Sequence, residues 1–239
     1  YNQRFPLDTG GSSTTVGGYP ALKTGTTTYV GVANLNGSKL EGLMIVLDYN
    51  SNSALSTTKN IYNQLVTTAL FNTNMTLDNA VKVVRDTKRK QDIAAVGLLA
   101  QKYNNKNGSY PNLAAGSFIT GLSTSRWPSW QNTLGNVLGR ALPLDPVNDM
   151  VPTCVSPYEA STCWAESTKT FTAPADSHMY LYQSTGTDFS VYGNMEYTDT
   201  GSFANGSFNP CSGSGSSTCP SFNYQITTSP GGLLPPSTL

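Results

Sequence analysis

The pattern of apolar and polar positions predicts a small β–β–α segment in the first 75 residues. Residues 27–35 and 40–49 are rich in Val, Tyr, Ile and Leu, and the Asn-Gly pair between them is a strong hairpin-turn signal. From 56 to 71, apolar residues recur three or four positions apart, which indicates a helix. The Gly-, Ser- and Thr-rich start of the chain shows neither period, so we expect irregular loops there.

The longest periodic stretch predicts a helix at 76–106, ending before an Asn-Gly pair. Apolar residues mark both ends of it, but 85–92 (RDTKRKQD) contains no strongly apolar residue. We therefore expect the C-terminal half to pack on a globular body, while the N-terminal half is polar on most faces or projects. The alternative is an ordinary helix with a solvated basic face, which charge runs usually are.

The remainder of the chain predicts an antiparallel sheet. Residues 129–142 have the apolar spacing of a short amphipathic helix that two prolines follow. Strand-like runs at 179–184, 188–197 and 222–228 then suit an antiparallel meander with one buried face. The predicted sheet therefore spans about 178–228.

These elements together predict an α+β protein in three parts. Residues 1–75 form the β–β–α segment, to which we assign no role. Residues 76–228 form a module in which the long helix lies against three or four antiparallel strands. Residues 229–239 hold three prolines and two glycines and form a tail.

Composition favours a secreted or cell-surface protein. Charged residues make up only 12% of the chain, and the formal net charge is zero, which argues against a nucleic-acid partner. Residues 78–106 carry seven basic and three acidic groups, whereas residues 145–239 carry one basic and eight acidic groups. In an assembly of identical subunits, this segregation offers a head-to-tail contact between a basic helix and an acidic domain.

The four cysteines indicate an oxidising compartment. They lie at Cys154, Cys163, Cys211 and Cys219, amid Ser, Pro and Gly. Four cysteines allow three pairings, and the sequence does not choose among them, although the local pairing 154–163 and 211–219 is the most economical. A zinc site is the rival interpretation, but these spacings are not C-x2-C.

Nothing in the sequence indicates a membrane anchor or a catalytic centre. The longest apolar run, at 43–47, is far too short to span a bilayer, and no signal peptide precedes it, so we expect an anchor upstream of Tyr1 or none in this chain. The single histidine, His178, accompanies no nucleophile motif, and Glu159, Glu166 and Glu196 lack the spacing of a glycosidase pair. We therefore predict that the protein is not an enzyme.

Two further patterns have ordinary explanations. The tryptophans could form a sugar-binding platform, but Trp127 and Trp130 adjoin an amphipathic helix, which favours core packing. Four Asn-x-Ser/Thr triplets match the glycosylation motif, at Asn36, Asn74, Asn107 and Asn205. A chain rich in Asn, Ser and Thr produces such triplets by chance, so the sequence alone assigns them no glycan.

Several segments after residue 80 are similar to the recurring motifs of a known family. They are RDTKRKQDI at 85–93, YNNKNGSYP at 103–111, LPLDPVN at 142–148 and the YLY…G…DF pattern at 180–189. In content and in order they resemble the type IV pilins and type II secretion pseudopilins, and the resemblance covers about 80–230. It implies a long helix packed on an antiparallel sheet, with a disulfide-tied, variable C-terminal region.

The resemblance implies a structural subunit of an extracellular filament. Its expected partners are copies of itself, with other pilins or assembly machinery as further candidates. We expect helix packing to give affinity and Arg85, Lys88, Arg89 and Lys90 to meet the acidic domain of a neighbouring copy. The alternative is a pseudopilin or pilus-tip subunit that binds a protein or glycan through its disulfide loops. A secreted enzyme of unrecognised class is the third hypothesis.

The resemblance also raises the question of calcium, because some pseudopilins hold this ion before the last strand. Asp145, Asp149 and Asp188, together with Asp176 and Asp199, supply hard oxygen ligands of the right type. They lack the tight alternation of an EF-hand loop, and acidic surface loops are more often solvated. No other cofactor is expected.

Overall fold

The computed structural model describes residues 12–37, 39–49, 51–113, 116–198, 203–211, 219 and 221–228. These residues form two compact units. The first comprises Tyr1–Thr87 and Glu196–Ser202, and the second comprises Lys88–Met195 and Phe203–Leu239. The division falls inside the long helix, whereas the sequence suggested a boundary near residue 75.

The first unit contains a four-stranded antiparallel sheet in the order β1-β2-β3-β4. Its strands are β1 (Ser12–Val16), β2 (Tyr19–Thr24), β3 (Thr27–Asn36) and β4 (Lys39–Asp48). The predicted hairpin of β3 and β4 is confirmed, but the expectation of irregular loops in the first 25 residues was wrong for 12–24. Strand β1 (SSTTV) consists almost entirely of Ser and Thr, and β2 (YPALKT) contains a proline, so neither shows the signal that marks a strand. Gly17 and Gly18 make the turn between them with φ of 57° and 86°.

Helices cover both faces of this sheet. On one face, the hydroxyl of Tyr62 in α1 (Ser56–Thr68) donates to Thr28 Oγ1 at 2.7 Å and to the carbonyl of Leu47 at 2.9 Å. On the other face, a Cβ added to Gly31 would lie 3.4 Å from Val84 Cγ2 of the next helix. Thr28 and Gly31 are an odd number of residues apart along β3, so they point to opposite faces.

The long helix α2 runs over Leu77–Asn107, within one residue of the predicted 76–106 at each end. Its 31 residues span about 46 Å at the standard rise. Thr76 caps the start, because its Oγ1 accepts the N–H of Asn79 at 3.3 Å. Gly108 ends the helix in the left-handed region, with φ of 75°.

The second unit contains a four-stranded antiparallel sheet in the order β10-β9-β8-β5. Its strands are β5 (Leu122–Thr124), β8 (Leu181–Ser184), β9 (Phe189–Gly193) and β10 (Tyr224–Thr227), and the short hairpin β6 (Trp164–Ala165) and β7 (Thr170–Phe171) lies apart from it. The three strand-like runs of the sequence correspond to β8, β9 and β10. Strand β5 has only three residues, too few to show a period.

The second half of α2 packs closely on this sheet. Ile93, Val96 and Ala100 are fully buried. A Cβ added to Gly193 of β9 would lie 2.6 Å from Ile93 Cδ1, and one added to Gly97 of α2 would lie 2.5 Å from Ile226 Cδ1. The absence of a side chain at these two glycines is therefore what lets the helix approach the sheet.

The predicted helix at 129–142 is shorter and irregular. A π-helix over Trp130–Gly135 leads into one turn, α3 (Asn136–Leu138), which Gly139 ends with φ of 76°. Trp130 and Trp127 are buried, and their indole N–H groups donate to the carbonyls of Pro143 and Thr162. The chain as a whole is thus a mixed α and β structure with antiparallel sheets.

Candidate functional site

The polar stretch of α2 is buried along one side. Asp86 and Arg89 are fully buried and Asp92 is nearly so, at intervals of three residues that keep them on neighbouring turns. The expectation that this half of the helix is polar on most faces or projects was therefore wrong. Each buried charge has partners that the sequence period could not reveal.

In the first unit, the segment after Met195 binds the helix. Both carboxylate oxygens of Asp86 accept the N–H of Glu196 at 3.0 Å, and Oδ2 accepts the N–H of Tyr197 at 2.8 Å. Arg85 forms a bidentate ion pair with Glu196, in which the Nε–Oε2 distance is 2.5 Å and the Nη2–Oε1 distance is 2.6 Å. Two adjacent residues of α2 thus hold one short segment by its backbone and by its side chain.

In the second unit, Arg89 forms a buried ion pair with Asp145. Arg89 Nε and Nη2 lie 2.8 and 3.0 Å from the two carboxylate oxygens, and neither side chain is exposed to solvent. Asp145 Oδ1 also accepts the N–H of Val147 at 2.9 Å and that of Asn148 at 3.3 Å. The pair therefore joins α2 to the turn in the LPLDPVN segment.

One turn further along α2, Asp92 lies between a lysine and a tyrosine. Lys88 Nζ contacts its two oxygens at 2.5 and 2.6 Å, and the Tyr180 hydroxyl donates to Oδ2 at 2.9 Å. Burial raises the pKa of Asp92 above its usual value, against the opposing effect of Lys88. Burial, with the charge of Asp92 added, raises the pKa of Tyr180 so far that its hydroxyl stays a donor.

The four predicted assembly residues are thus all engaged within their own units. Arg85 and Arg89 pair with Glu196 and Asp145, and Lys90 Nζ lies 5.5 and 5.6 Å from the ring centres of Phe203 and Tyr224. Lys88 retains 54% of its side-chain exposure. Burial of Arg89 contradicts the idea that it meets a neighbouring subunit, and its role here is in the fold.

Exposed residues of α2 form a different surface, which the sequence pattern did not single out. We call Lys88, Ala95, Leu98, Lys102 and Lys106 the outer stripe. Positions 88, 95 and 102 are seven residues apart and 98, 102 and 106 are four apart, so they share one side of the helix. Leu98 is 62% exposed, and Lys102 follows it one turn later on the same side of the helix. Exposed acidic residues of the same unit are Asp149, Glu159, Glu166, Asp176 and Asp188.

The candidate calcium ligands serve several structural purposes. Asp145 already receives Arg89 on both oxygens, which contradicts its assignment to a calcium site. Asp149 Oδ1 accepts the N–H of Met150, and Asp188 accepts hydroxyls of Thr187 and Thr228. Within the residues that the structure describes, no group of three or more His, Cys, Asp or Glu side chains is placed to hold a metal ion, and Asp199 lies outside those residues.

The two disulfides follow the local pairing. Cys154–Cys163 and Cys211–Cys219 have Cα–Cα distances of 5.5 and 5.4 Å. Cys163 and Cys211 lie in the hydrophobic core of the second unit, and the other members of that cluster include Leu122, Trp127, Met150, Trp164, Phe171, Met179, Leu181, Tyr192 and Phe222. Two disulfides indicate an oxidising environment, as in secreted proteins.

The first disulfide loop presents both apolar and acidic groups. Val155 is 76% exposed, and the partly exposed Phe118 stacks on Trp164 with ring centres 5.0 Å apart. Hydrogen bonds from the hydroxyls of Ser161 and Thr162 hold the pKa of Glu159 below its usual value. Glu166 accepts the Trp164 indole N–H at 2.8 Å and pairs with Lys169.

The single histidine does not join a catalytic array of hydrogen bonds. The backbone of His178 pairs with that of Asp149 in both directions at 2.8 Å. Its buried Nδ1 has no hydrogen-bond partner among the described residues, so no Ser–His–Asp relay runs through that atom. Glu196, one of the three glutamates considered for a carboxylate pair, is engaged by Arg85.

Comparisons with known proteins do not identify the chain: no family model, no curated protein and no solved structure matches it. Among the described helices, none has an apolar stretch of the length needed to cross a bilayer.

Proposed function

We propose that this protein is a non-enzymatic structural subunit of an extracellular, type IV pilus-like filament. The observation that carries the proposal is the packing of α2 on an antiparallel sheet in the second unit. Ile93 meets Gly193 at the centre of that contact, and disulfide-tied loops belong to the same unit. This is the architecture that the resemblance to pilins implies.

The outer stripe is the surface that we assign to contact with a second copy. It carries three lysines and an exposed leucine, and the exposed acidic residues of the same unit supply the complementary charge. The basic stripe of one copy can contact the acidic surface of the next copy, whose own basic stripe is then left for a third. The contact therefore repeats head to tail and need not close into a ring. Leu98 supplies apolar burial, while the charges set register and association rate.

Self-association measured by sedimentation velocity, at several protein and salt concentrations, tests this assignment. We expect the wild-type chain to associate reversibly and the triple variant K88E/K102E/K106E to associate at least about tenfold more weakly, because the electrostatic attraction becomes repulsion. The matched control is K59E on α1, which makes the same type of charge change at a partly exposed lysine of the first unit. Adding D176K/D188K to the triple variant should restore association.

Two results would contradict this assignment. One is a wild-type chain that stays monomeric at every concentration tested, and the other is a triple variant that associates as strongly as K59E. Circular dichroism of each variant checks the fold. Because Lys88 also pairs with Asp92, the double variant K102E/K106E, which leaves that pair in place, should weaken association in the same direction.

The first disulfide loop favours the second candidate, a pseudopilin or tip subunit that binds a partner. Val155 is 76% exposed on that loop, and Phe118 keeps 38% of its surface exposed while stacked on Trp164. Exposed apolar residues on a covalently restrained loop lose little entropy on binding. For that function, V155D should abolish partner capture while leaving self-association of the chain unchanged.

A further inference from the structure

The four Asn-x-Ser/Thr triplets fall into two structural pairs. Asn36, Asn74, Asn107 and Asn205 are all exposed, so exposure does not separate them. The hydrogen bonds of their side chains divide them into two pairs. Two of the four carboxamides pair with both polar groups of one backbone residue, whereas each of the other two makes a single bond through Nδ2 to the residues that the structure describes.

Asn74 and Asn205 each act as a one-residue extension of a sheet. Asn74 Oδ1 accepts the N–H of Leu35 at 2.7 Å, and its Nδ2 donates to the carbonyl of Leu35 at 2.6 Å. In the same way, Asn205 Oδ1 accepts the N–H of Gln225 in β10 at 2.9 Å, and its Nδ2 donates to the carbonyl of Gln225 at 2.7 Å. Both carboxamides therefore satisfy backbone groups that a neighbouring strand would otherwise take.

This pairing uses the hydrogen to which a glycan would have to attach. To reach the N–H and C=O of a single residue, the carboxamide must use Oδ1 and the Nδ2 hydrogen on the same side as Oδ1. A sugar on Nδ2 makes a secondary amide, which strongly prefers to place its substituent on that same side, as a trans peptide bond does. Glycosylation of Asn74 or Asn205 and the observed pairing thus exclude each other.

The hydroxyls of these two triplets are engaged as well. Thr76 Oγ1 accepts the N–H of Asn79 at the start of α2, at 3.3 Å. Ser207 Oγ lies 2.8 Å from Ser221 Oγ. The hydroxyl two residues after the asparagine is part of the acceptor motif. In both motifs, therefore, the asparagine carboxamide and this hydroxyl are each hydrogen-bonded within the fold.

Asn36 and Asn107 present the opposite situation. Asn36 Nδ2 donates once, to Glu41 Oε1 at 3.0 Å, and Asn107 Nδ2 donates once, to the carbonyl of Tyr103 at 2.8 Å. Either Nδ2 hydrogen can make such a single bond, so, unlike the pairing of Asn74 and Asn205, it does not require the hydrogen on the same side as Oδ1 that a glycan replaces. Asn36 ends β3 at a hairpin turn and Asn107 ends α2, so a glycan at either position would extend into solvent.

We propose that Asn36 and Asn107 are acceptors of N-linked oligosaccharide and that Asn74 and Asn205 are not. The donor is a lipid-linked oligosaccharide diphosphate. Nδ2 forms a bond to the anomeric carbon, the bond from that carbon to the diphosphate oxygen breaks, the lipid diphosphate leaves, and Nδ2 loses one proton. This assignment does not depend on filament assembly.

Glycopeptide mass spectrometry of the full chain, secreted by yeast cells, tests the assignment. We expect glycan on Asn36 and Asn107 in the secreted, folded protein and none on Asn74 or Asn205, with N36Q and N107Q each removing one glycan. Secreted, natively folded protein with glycan on Asn74 or Asn205 would overturn the division into pairs. An unmodified Asn36 or Asn107 would overturn the assignment of that residue.

A second measurement uses protein without glycans. Aspartate keeps the carboxyl oxygen but cannot donate, so N74D and N205D should each lower the thermal midpoint by about 2–4 °C. N36Q and N107Q, which keep an uncharged amide and so avoid a carboxylate facing Glu41 or the C-terminus of α2, are the controls and should shift it by less than about 1 °C. Equal shifts in all four variants would contradict the structural distinction.

Discussion

At the scale of single residues, α2 depends on charges that have been removed from water. Arg89 and Asp145 are both fully buried and satisfy each other through two hydrogen bonds. Burying such a pair costs desolvation energy that its attraction only roughly offsets, but an isolated buried charge is far less favourable. The pair therefore holds α2 in one position relative to the LPLDPVN turn, and losing one member is worse than losing both.

Replacing Asp145 by asparagine should destabilise the protein by about 3–5 kcal/mol, because Arg89 would remain buried without a counter-charge. The control is K169Q, which removes an exposed pair with Glu166 and should cost less than about 1 kcal/mol. Urea denaturation followed by circular dichroism measures both. A D145N variant as stable as K169Q would mean that Arg89 reaches solvent or another partner.

Asp92 should impose a pH dependence of the opposite sign to that of an ordinary ion-paired carboxylate. Its pKa is raised in the folded protein, so the folded state binds a proton more tightly than the unfolded state. Its contribution to stability is therefore greatest below the unfolded pKa of about 3.9 and is lost as pH rises through the folded pKa. The free energy of unfolding of D92N relative to wild type should accordingly increase from pH 4 to pH 7.

Urea titrations of both proteins across that range measure the difference. If the difference between the free energies of unfolding of D92N and wild type stays constant with pH, the ionised Asp92 carboxylate is as well stabilised in the folded protein as in water. A difference that falls with rising pH would show that the pairing with Lys88 outweighs burial, which reverses the sign of our prediction.

At the scale of elements, close approach of α2 to its sheet rests on the lack of a side chain. An alanine Cβ at Gly193 would lie 2.6 Å from Ile93 Cδ1, in a fully buried position. Ile93 must then move in a core that is already packed, which costs about 1–3 kcal/mol. Gly193 on the sheet, like Gly97 on the helix, therefore lets the two elements approach closely in the second unit.

We predict that G193A lowers the free energy of unfolding by that amount. G42A is the control, since its Cβ meets nothing within 4 Å, and it should be neutral or slightly stabilising. The double variant G193A/I93V removes the clashing methyl and should be more stable than the sum of the single changes, by at least about 0.5 kcal/mol. Strict additivity in this cycle would place the contact elsewhere.

The elements were predictable where apolar periodicity was strong. The ends of α2 and the hairpin of β3 and β4 follow from the sequence because Leu, Ile and Val recur with the required spacing. Strand β1 was not predicted because it consists almost entirely of Ser and Thr, and β2 was not predicted because its six residues include a proline, which is unusual in a strand. The π-helix at Trp130–Gly135 gave no signal, since its residues have an ordinary amphipathic spacing.

The candidate site was less predictable, for a physical reason. The run of charges at 85–92 is typical of a solvated face, and its burial depends on partners far along the chain. Asp145 lies 56 residues after Arg89, and Glu196 lies 111 residues after Arg85. Periodicity is a local property, so it cannot distinguish a charge that faces water from one that a distant carboxylate neutralises.

At the scale of the whole molecule, the segregation of charge along the sequence largely disappears in the fold. The first unit carries six basic and seven acidic residues, and the second carries eight basic and seven acidic residues, giving net charges of −1 and +1. Any electrostatic contact between copies must therefore arise from local patterning within a unit. The lysines of the outer stripe provide such a pattern.

Electron microscopy of native material, labelled with antibodies against this chain, tests the central claim most directly. We expect fibres decorated along their length, because every subunit would contribute one copy. Label confined to fibre ends would instead support the tip-subunit alternative. Native material in which the chain occurs only as dispersed monomers, with no fibre carrying the label, would contradict the proposal that it is a filament subunit.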